Sequence, residues 1–206
     1  MPEFIKMGVT LMIVGAVATA VLAATEMVTR EPIKEAKRLE ILRALTQVLP
    51  EGFDNAPDND TVQMIDKRLN RKETPVTFYR ARKSGSTLGA AFVVTAPDGY
   101  SGDIDIMIAV NPQEILTGVQ VVAHKETPGL GDKVVLTDWP DKFRGKTLDN
   151  AKWGVKKDGG EFDQFAGATI TPRAIVAAVK RGLEMFKDHK ESILSPRTEA
   201  VPPAKK

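Results

Sequence analysis

The sequence predicts an α+β fold: a single N-terminal transmembrane helix, then a domain with an antiparallel sheet and flanking helices. Three observations predict it. Residues 7–25, MGVTLMIVGAVATAVLAAT, run 19 residues without a charge. Between 76 and 124, four stretches of strand-forming residues are separated by turn signals. Residues 171–194 repeat apolar side chains at helical spacing.

At about 1.5 Å per residue the apolar run spans about 28 Å, close to the hydrocarbon thickness of a bilayer. Membrane lipid is therefore its expected partner, and its Gly and Ala content suits close helix packing. Ala18-Thr19-Ala20 offers the small residues of a signal-peptide cleavage site. The run is longer than a usual signal core, which favours a retained anchor over residues 1–29. Arg30, Lys34, Lys37 and Arg38 follow the span, and a bare positive-inside count would keep the large domain in the cytoplasm. Acids alternate with these bases and long domains translocate largely regardless of charge, so the count decides little.

Residues 26–49 carry apolar positions at helical spacing, from Ile33 through Leu39, Leu42 and Leu45 to Leu49, with Pro50 and Gly52 as a stop. A helical neck and a polar loop, EGFDNAPDND, thus occupy residues 30–60, ahead of the main domain at 61–194. VTFYRAR (76–82) and LGAAFVVTA (88–96) flank a KSGST turn as a hairpin. DIDIMIAV (103–110) and ILTGVQVVAH (115–124) read as two further strands around NPQE. Residues 133–145 read as a short helix or irregular segment that packs Trp139 and Phe143, and AKWGVKK (151–157) as a short strand. The last helix, 171–194, presents Ile175, Val176, Val179, Leu183 and Phe186 on one face. Residues 195–206 are Pro-rich and charged, a flexible tail by composition.

The chain has no Cys, which excludes disulfides, thiolate metal sites and cysteine nucleophiles. With two His, no metal centre is expected. A net charge of +2 without a basic stripe points to no nucleic acid partner.

Two stretches carry the chemistry. In DQFAGATITP (163–172), Thr171-Pro172 has the makings of a helix start, Thr as N-cap and Pro at the first helical position. The plain reading is a loop that caps a helix. The same physics makes an anion site, because a helix N-terminus offers unpaired N–H groups and partial positive charge. Gly167 lets another group approach the backbone, and Thr169 places a hydroxyl where a phosphate would dock. A threonine hydroxyl needs a base or metal to attack phosphorus; none adjoins it, so a phosphate-linked group there would be installed by another protein. In HKETPGLGDK (124–133), Pro128 fixes one backbone angle while Gly129 and Gly131 permit unusual ones, the chemistry of a rigid turn. His124 reads as a hydrogen-bonded strand-end residue.

The first stretch resembles the flavinylation motif D-x-x-[S/T]-G-A-T-x-[S/T] of the FMN-binding domain of membrane redox complexes, read here from Asp163 to Thr171. The second resembles the ETPGLG loop of that family. The order of segments along nearly the whole chain is similar to the G-subunit family of Rnf (also Rsx) complexes, sister to the C-subunit family of the sodium-pumping NADH:quinone reductase. The resemblance implies FMN esterified through its phosphate to Thr169 by a flavin transferase that uses FAD and recognises Asp163. It implies a cofactor site of Gly167, Ala168, Thr169 and Thr171 with Glu126, Thr127, Gly129, Leu130 and Gly131, and no catalytic residue of its own. Ala166 departs from the family's Ser or Thr and removes one hydroxyl from the turn. The resemblance further implies the bacterial inner membrane, with the N-terminus in the cytoplasm and the domain in the periplasm. The implied partners are the A, B, C, D and E components of the Rnf complex, relaying electrons between NADH and ferredoxin coupled to Na⁺ or H⁺ movement. A membrane-anchored assembly protein without redox chemistry is the alternative the residues alone leave open.

Overall fold

The computed structural model describes residues 2–195; the expected tail lies outside the described residues apart from Ser195. Helix α1 runs Glu3–Val48, so the apolar span and the neck are one helix. It encloses Pro32, which has no N–H to give to the carbonyl of Val28. The chain divides into two units, residues 1–43 and the part from Ala44 onward. In the first unit, α1 is long and apolar enough to cross a membrane, with a most apolar window of mean hydropathy 2.2 and no part of it buried.

The second unit is a five-stranded antiparallel sheet in the order β1-β2-β3-β4-β5: Thr61–Met64, Val76–Lys83, Ser86–Ala96, Ile104–Val110 and Leu116–Ala123. Four strands lie where the strand-forming stretches and the turns between them placed them. The sequence reading missed β1, a four-residue edge strand paired to β2 through Thr61↔Tyr79 and Met64↔Val76. It follows a polar loop, and with four residues its alternation, Val62 and Met64 against the core, is too short to stand out. The strand expected at 151–157 is not one: Val155 makes a lone bridge to Phe162 and a 3-10 turn follows at Lys156–Asp158. Trp153 and Phe162 instead stack with Phe143, whose ring lies 4.4 Å from that of Phe162 and 6.2 Å from that of Trp153. Helix α2 (Lys133–Leu136) and a 3-10 helix (Trp139–Phe143) fill the expected short-helix segment, with Trp139 and Phe143 buried.

Helix α3 (Ile170–Leu194) packs on β3 and β4. Its five expected core residues are all buried, and Phe186 stacks on Phe92, which meets Phe78 at 4.5 Å. The end of α1 packs on the sheet within the second unit: Ala44, Leu45, Val48 and Leu49 are buried, and the Thr117 hydroxyl donates to the Val48 carbonyl at 2.7 Å. Gly118 makes this contact possible, since a Cβ there would sit 2.5 Å from Val48 Cα and 2.9 Å from its carbonyl oxygen. Backbone cannot yield as a side chain can. Gly118→Ala should lower stability by about 1–3 kcal/mol, the usual cost of overpacking, as read by urea denaturation; an unchanged midpoint would show that the contact is slack.

The far end of α3 is held by charge. Arg80 and Arg82 on β2 are nearly buried and share Asp60, at 2.5 Å from Arg80 Nη2 to Oδ1 and 2.5 Å from Arg82 Nε to Oδ2. One further nitrogen of each guanidinium donates to the Ser195 carbonyl, Arg80 Nη1 at 3.0 Å and Arg82 Nη2 at 2.9 Å. Cations thus meet the negative end of the helix dipole.

Candidate functional site

Each sequence stretch folds as a turn closed by its own backbone. Leu130 N–H donates to the Thr127 carbonyl at 3.2 Å, with Pro128 second in the turn and Gly129 third at φ +77°. Ala168 N–H donates to the Phe165 carbonyl at 3.0 Å, with Gly167 third at φ +78°. A positive φ at the third position is what such turns give to glycine. Gly131 has another purpose. It is not at positive φ, but a Cβ on it would lie 2.6 Å from Glu126 Oε2 and 2.8 Å from Thr171 Oγ1, so it supplies room rather than an angle.

The two turns meet. A cavity of about 140 Å³ is walled on one side by Glu126, Thr127, Leu130 and Gly131 and on the other by Gly167, Ala168, Thr169 and Thr171. Of the residues expected at the site, Gly129 alone does not line it, although it shapes the turn. Tyr100 and Ile170 complete the lining, and sequence reasoning missed both. Tyr100 sits in PDGYSGD, a stretch with no hydrophobic period to mark it; Ile170 follows the acceptor threonine and reads as ordinary helix. A larger open groove of about 560 Å³ runs along Arg71, Thr77, Tyr79 and Asp105, and no motif residue touches it.

The helix start differs from expectation. Helix α3 begins at Ile170, with Thr169, not Thr171, at the N-cap position. The Thr171 hydroxyl, 1% exposed, donates to Glu126 Oε2. A tertiary partner has taken the hydroxyl that the Thr-Pro pair suggested as a cap. Thr169 has φ −82° and ψ −30°, and its side chain makes no capping bond. Its hydroxyl is therefore not spent on the helix. Pro172 has no N–H, so Ile170 and Thr171 supply the first-turn donors beside it. Glu126 accepts Ser101 N–H on Oε1 at 2.9 Å, and its own N–H donates to His124 Nδ1 at 3.2 Å, in keeping with a hydrogen-bonded role for His124.

Asp163 stands away from the cavity. Its carboxylate pairs with Lys142 and with Lys156, and its carbonyl accepts Trp139 Nε1 at 2.8 Å. Hydrogen bonds from Lys142 and then Lys156 hold the carboxyl at about 2, below its ordinary 3.8. A folded-state value below the unfolded one means that the pairs stabilise above the ordinary range and are lost as pH falls through about 2. The Asp163 carboxyl should titrate near there by NMR; an ordinary midpoint would show the lysines unengaged.

The RnfG N-terminal region family matches residues 3–48 and the FMN-binding domain family matches residues 99–184. The G subunit of the ion-translocating oxidoreductase complex of Aliivibrio fischeri ES114 is 42% identical over 91% of this chain and 92% of its own length. The chain belongs to the G-subunit family of ion-translocating oxidoreductase complexes. The Pseudomonas aeruginosa PAO1 member is 44% identical over 89% of each chain. A solved structure, Shewanella oneidensis NqrC, aligns at TM-score 0.47 and 24% identity over 66% of this chain and 68% of its own, too slight a likeness to bear on the site. The cofactor of the matched domain is FMN. The site fits its phosphate: an uncapped hydroxyl, two helix-end N–H donors and a glycine turn that leaves the approach open. At about 140 Å³ the cavity is below the ~300–1,000 Å³ that larger ligands fill. The cavity alone would not enclose a flavin ring; at its mouth Tyr100, Leu130 and Ile170 are 68%, 42% and 43% exposed.

Proposed function

We propose that this chain is the electron-relay component of a membrane-bound Rnf complex and carries FMN on a phosphoester to Thr169. The observation that supports this most is the convergence of two distant turns on one cavity whose threonine hydroxyl is uncommitted. FMN supplies one- and two-electron redox chemistry. The chain's own residues tether, orient and partly cover it. Attachment forms a bond from Thr169 Oγ to the FMN phosphorus and breaks the pyrophosphate of FAD, so AMP leaves. No base adjoins Thr169 in sequence, and both Glu126 oxygens in the cavity are taken by other donors, so a flavin transferase supplies the activation. A diester carries about one negative charge, which the first-turn N–H groups and the dipole of α3 face directly.

The relatives are named as parts of a complex, and the Rnf A, B, C, D and E components are the partners proposed here. The pathway proposed runs between NADH and ferredoxin, coupled to Na⁺ or H⁺. The anchor sits in the inner membrane with the domain in the periplasm. A ring held on Thr169 would exceed the small cavity, which would leave it open to partners, as a relay requires.

Mass analysis of tryptic peptides from chain made with the transferase tests the reading. The peptide containing Thr169 should be heavier by FMN less one water, and an unmodified peptide would overturn it. Asp163 is proposed as the transferase's recognition residue. Asp163→Ala removes exposed ion pairs worth about 0–1 kcal/mol and leaves the carbonyl bond to Trp139. The domain should therefore fold and load less flavin; equal loading would remove Asp163 from recognition.

A further inference from the structure

Glu126 is 5% exposed, and no ion pair among the described residues includes it. A buried carboxylate without a cation is costly, and the carboxylate of Asp60, by contrast, is held by two arginines. Both Glu126 oxygens are instead committed to protein donors from different parts of the chain. Oε1 takes Ser101 N–H, next to Tyr100, and Oε2 takes the Thr171 hydroxyl, two residues from Thr169. Gly131 is kept small against that same oxygen pair. Three segments distant in sequence are thus fixed to one another at a single side chain. They carry Tyr100, Leu130 and Thr169, the walls of the cavity.

We propose that Glu126 is a positioning residue for flavin attachment: it sets the Tyr100 loop and the start of α3 around the Thr169 hydroxyl without touching the reacting atoms. This rests on the proposed flavin attachment for its consequence and on hydrogen bonding alone for its geometry. The Thr171 hydroxyl is the other half of the device, so Thr171 serves the site through Glu126 rather than as a second acceptor.

The two threonine replacements separate hydroxyl from bulk. Thr171→Val keeps the shape and removes the donor, while Thr171→Ser keeps the donor and removes a methyl. Full-length chain made without the transferase is compared by hydrogen exchange, and chain made with it by flavin content at Thr169. In Thr171→Val, amides of 99–103 should exchange at least about tenfold faster, as expected on losing a charge-assisted hydrogen bond. Flavin at Thr169 should fall to a minor fraction, while amides at 178–183 in mid-α3 stay protected. Thr171→Ser should match the unsubstituted chain in both. Glu126→Ala should reproduce Thr171→Val if it folds. Thr171→Val behaving as the unsubstituted chain, or Thr171→Ser failing equally, would overturn the proposal. If the exchange contrast holds while even the unsubstituted chain takes no flavin, the positioning role stands and the flavin reading falls.

Discussion

Thr169→Ala should yield a folded chain that retains no flavin after denaturation. The fold has little to lose. The Thr169 side chain makes no capping bond and is half-buried, so its removal should cost within about 0.5 kcal/mol, as for substitutions away from special features. The neighbouring threonine cannot take over, because the Thr171 hydroxyl is 1% exposed and donates to Glu126. In-gel flavin fluorescence of chain made with a transferase reads the result directly, and thermal unfolding confirms that the variant is native. Flavin surviving denaturation on this variant would place the acceptor elsewhere and remove the phosphoester reading.

Most of the sheet was legible because its four long strands are runs of strand-forming residues bounded by turns, although the middles of β3 and β4 are buried on both faces and so do not alternate. The edge strand β1 was not, since the alternation of TVQM, with Val62 and Met64 against the core, covers only four residues. The residues alone showed two turns, whose glycines and proline have local reasons to be there; that the two share one site came from the resemblance. The helix start was misplaced because Thr171-Pro172 satisfies the local rule for a cap, while the structure gives that hydroxyl to a residue 45 positions away. The same non-locality hid Tyr100, whose neighbour Ser101 donates its N–H to Glu126, 25 positions on. AKWGVKK misled by its alternation: Trp153 and Val155 are apolar two apart, yet the tryptophan joins an aromatic stack rather than a ladder.

Asp60→Asn should destabilise the domain by about 3–5 kcal/mol, the cost of breaking a buried pair by removing one partner. Two guanidiniums, with side chains 6% and 12% exposed, would then share no counter-charge. Urea denaturation of the full chain in detergent measures this; a loss below about 1 kcal/mol would mean that solvent screens the cluster as it does surface pairs. The substitution also separates the two ends of α3. Arg80 and Arg82 hold the Ser195 carbonyl, whereas Glu126 holds Thr171 at the start of the helix, about 36 Å away along a helix rising 1.5 Å per residue. Molecules of Asp60→Asn that remain folded should therefore still accept flavin at Thr169. A folded variant that fails to load would show that the acceptor depends on the seating of the whole helix, and not on the contacts at its first turn.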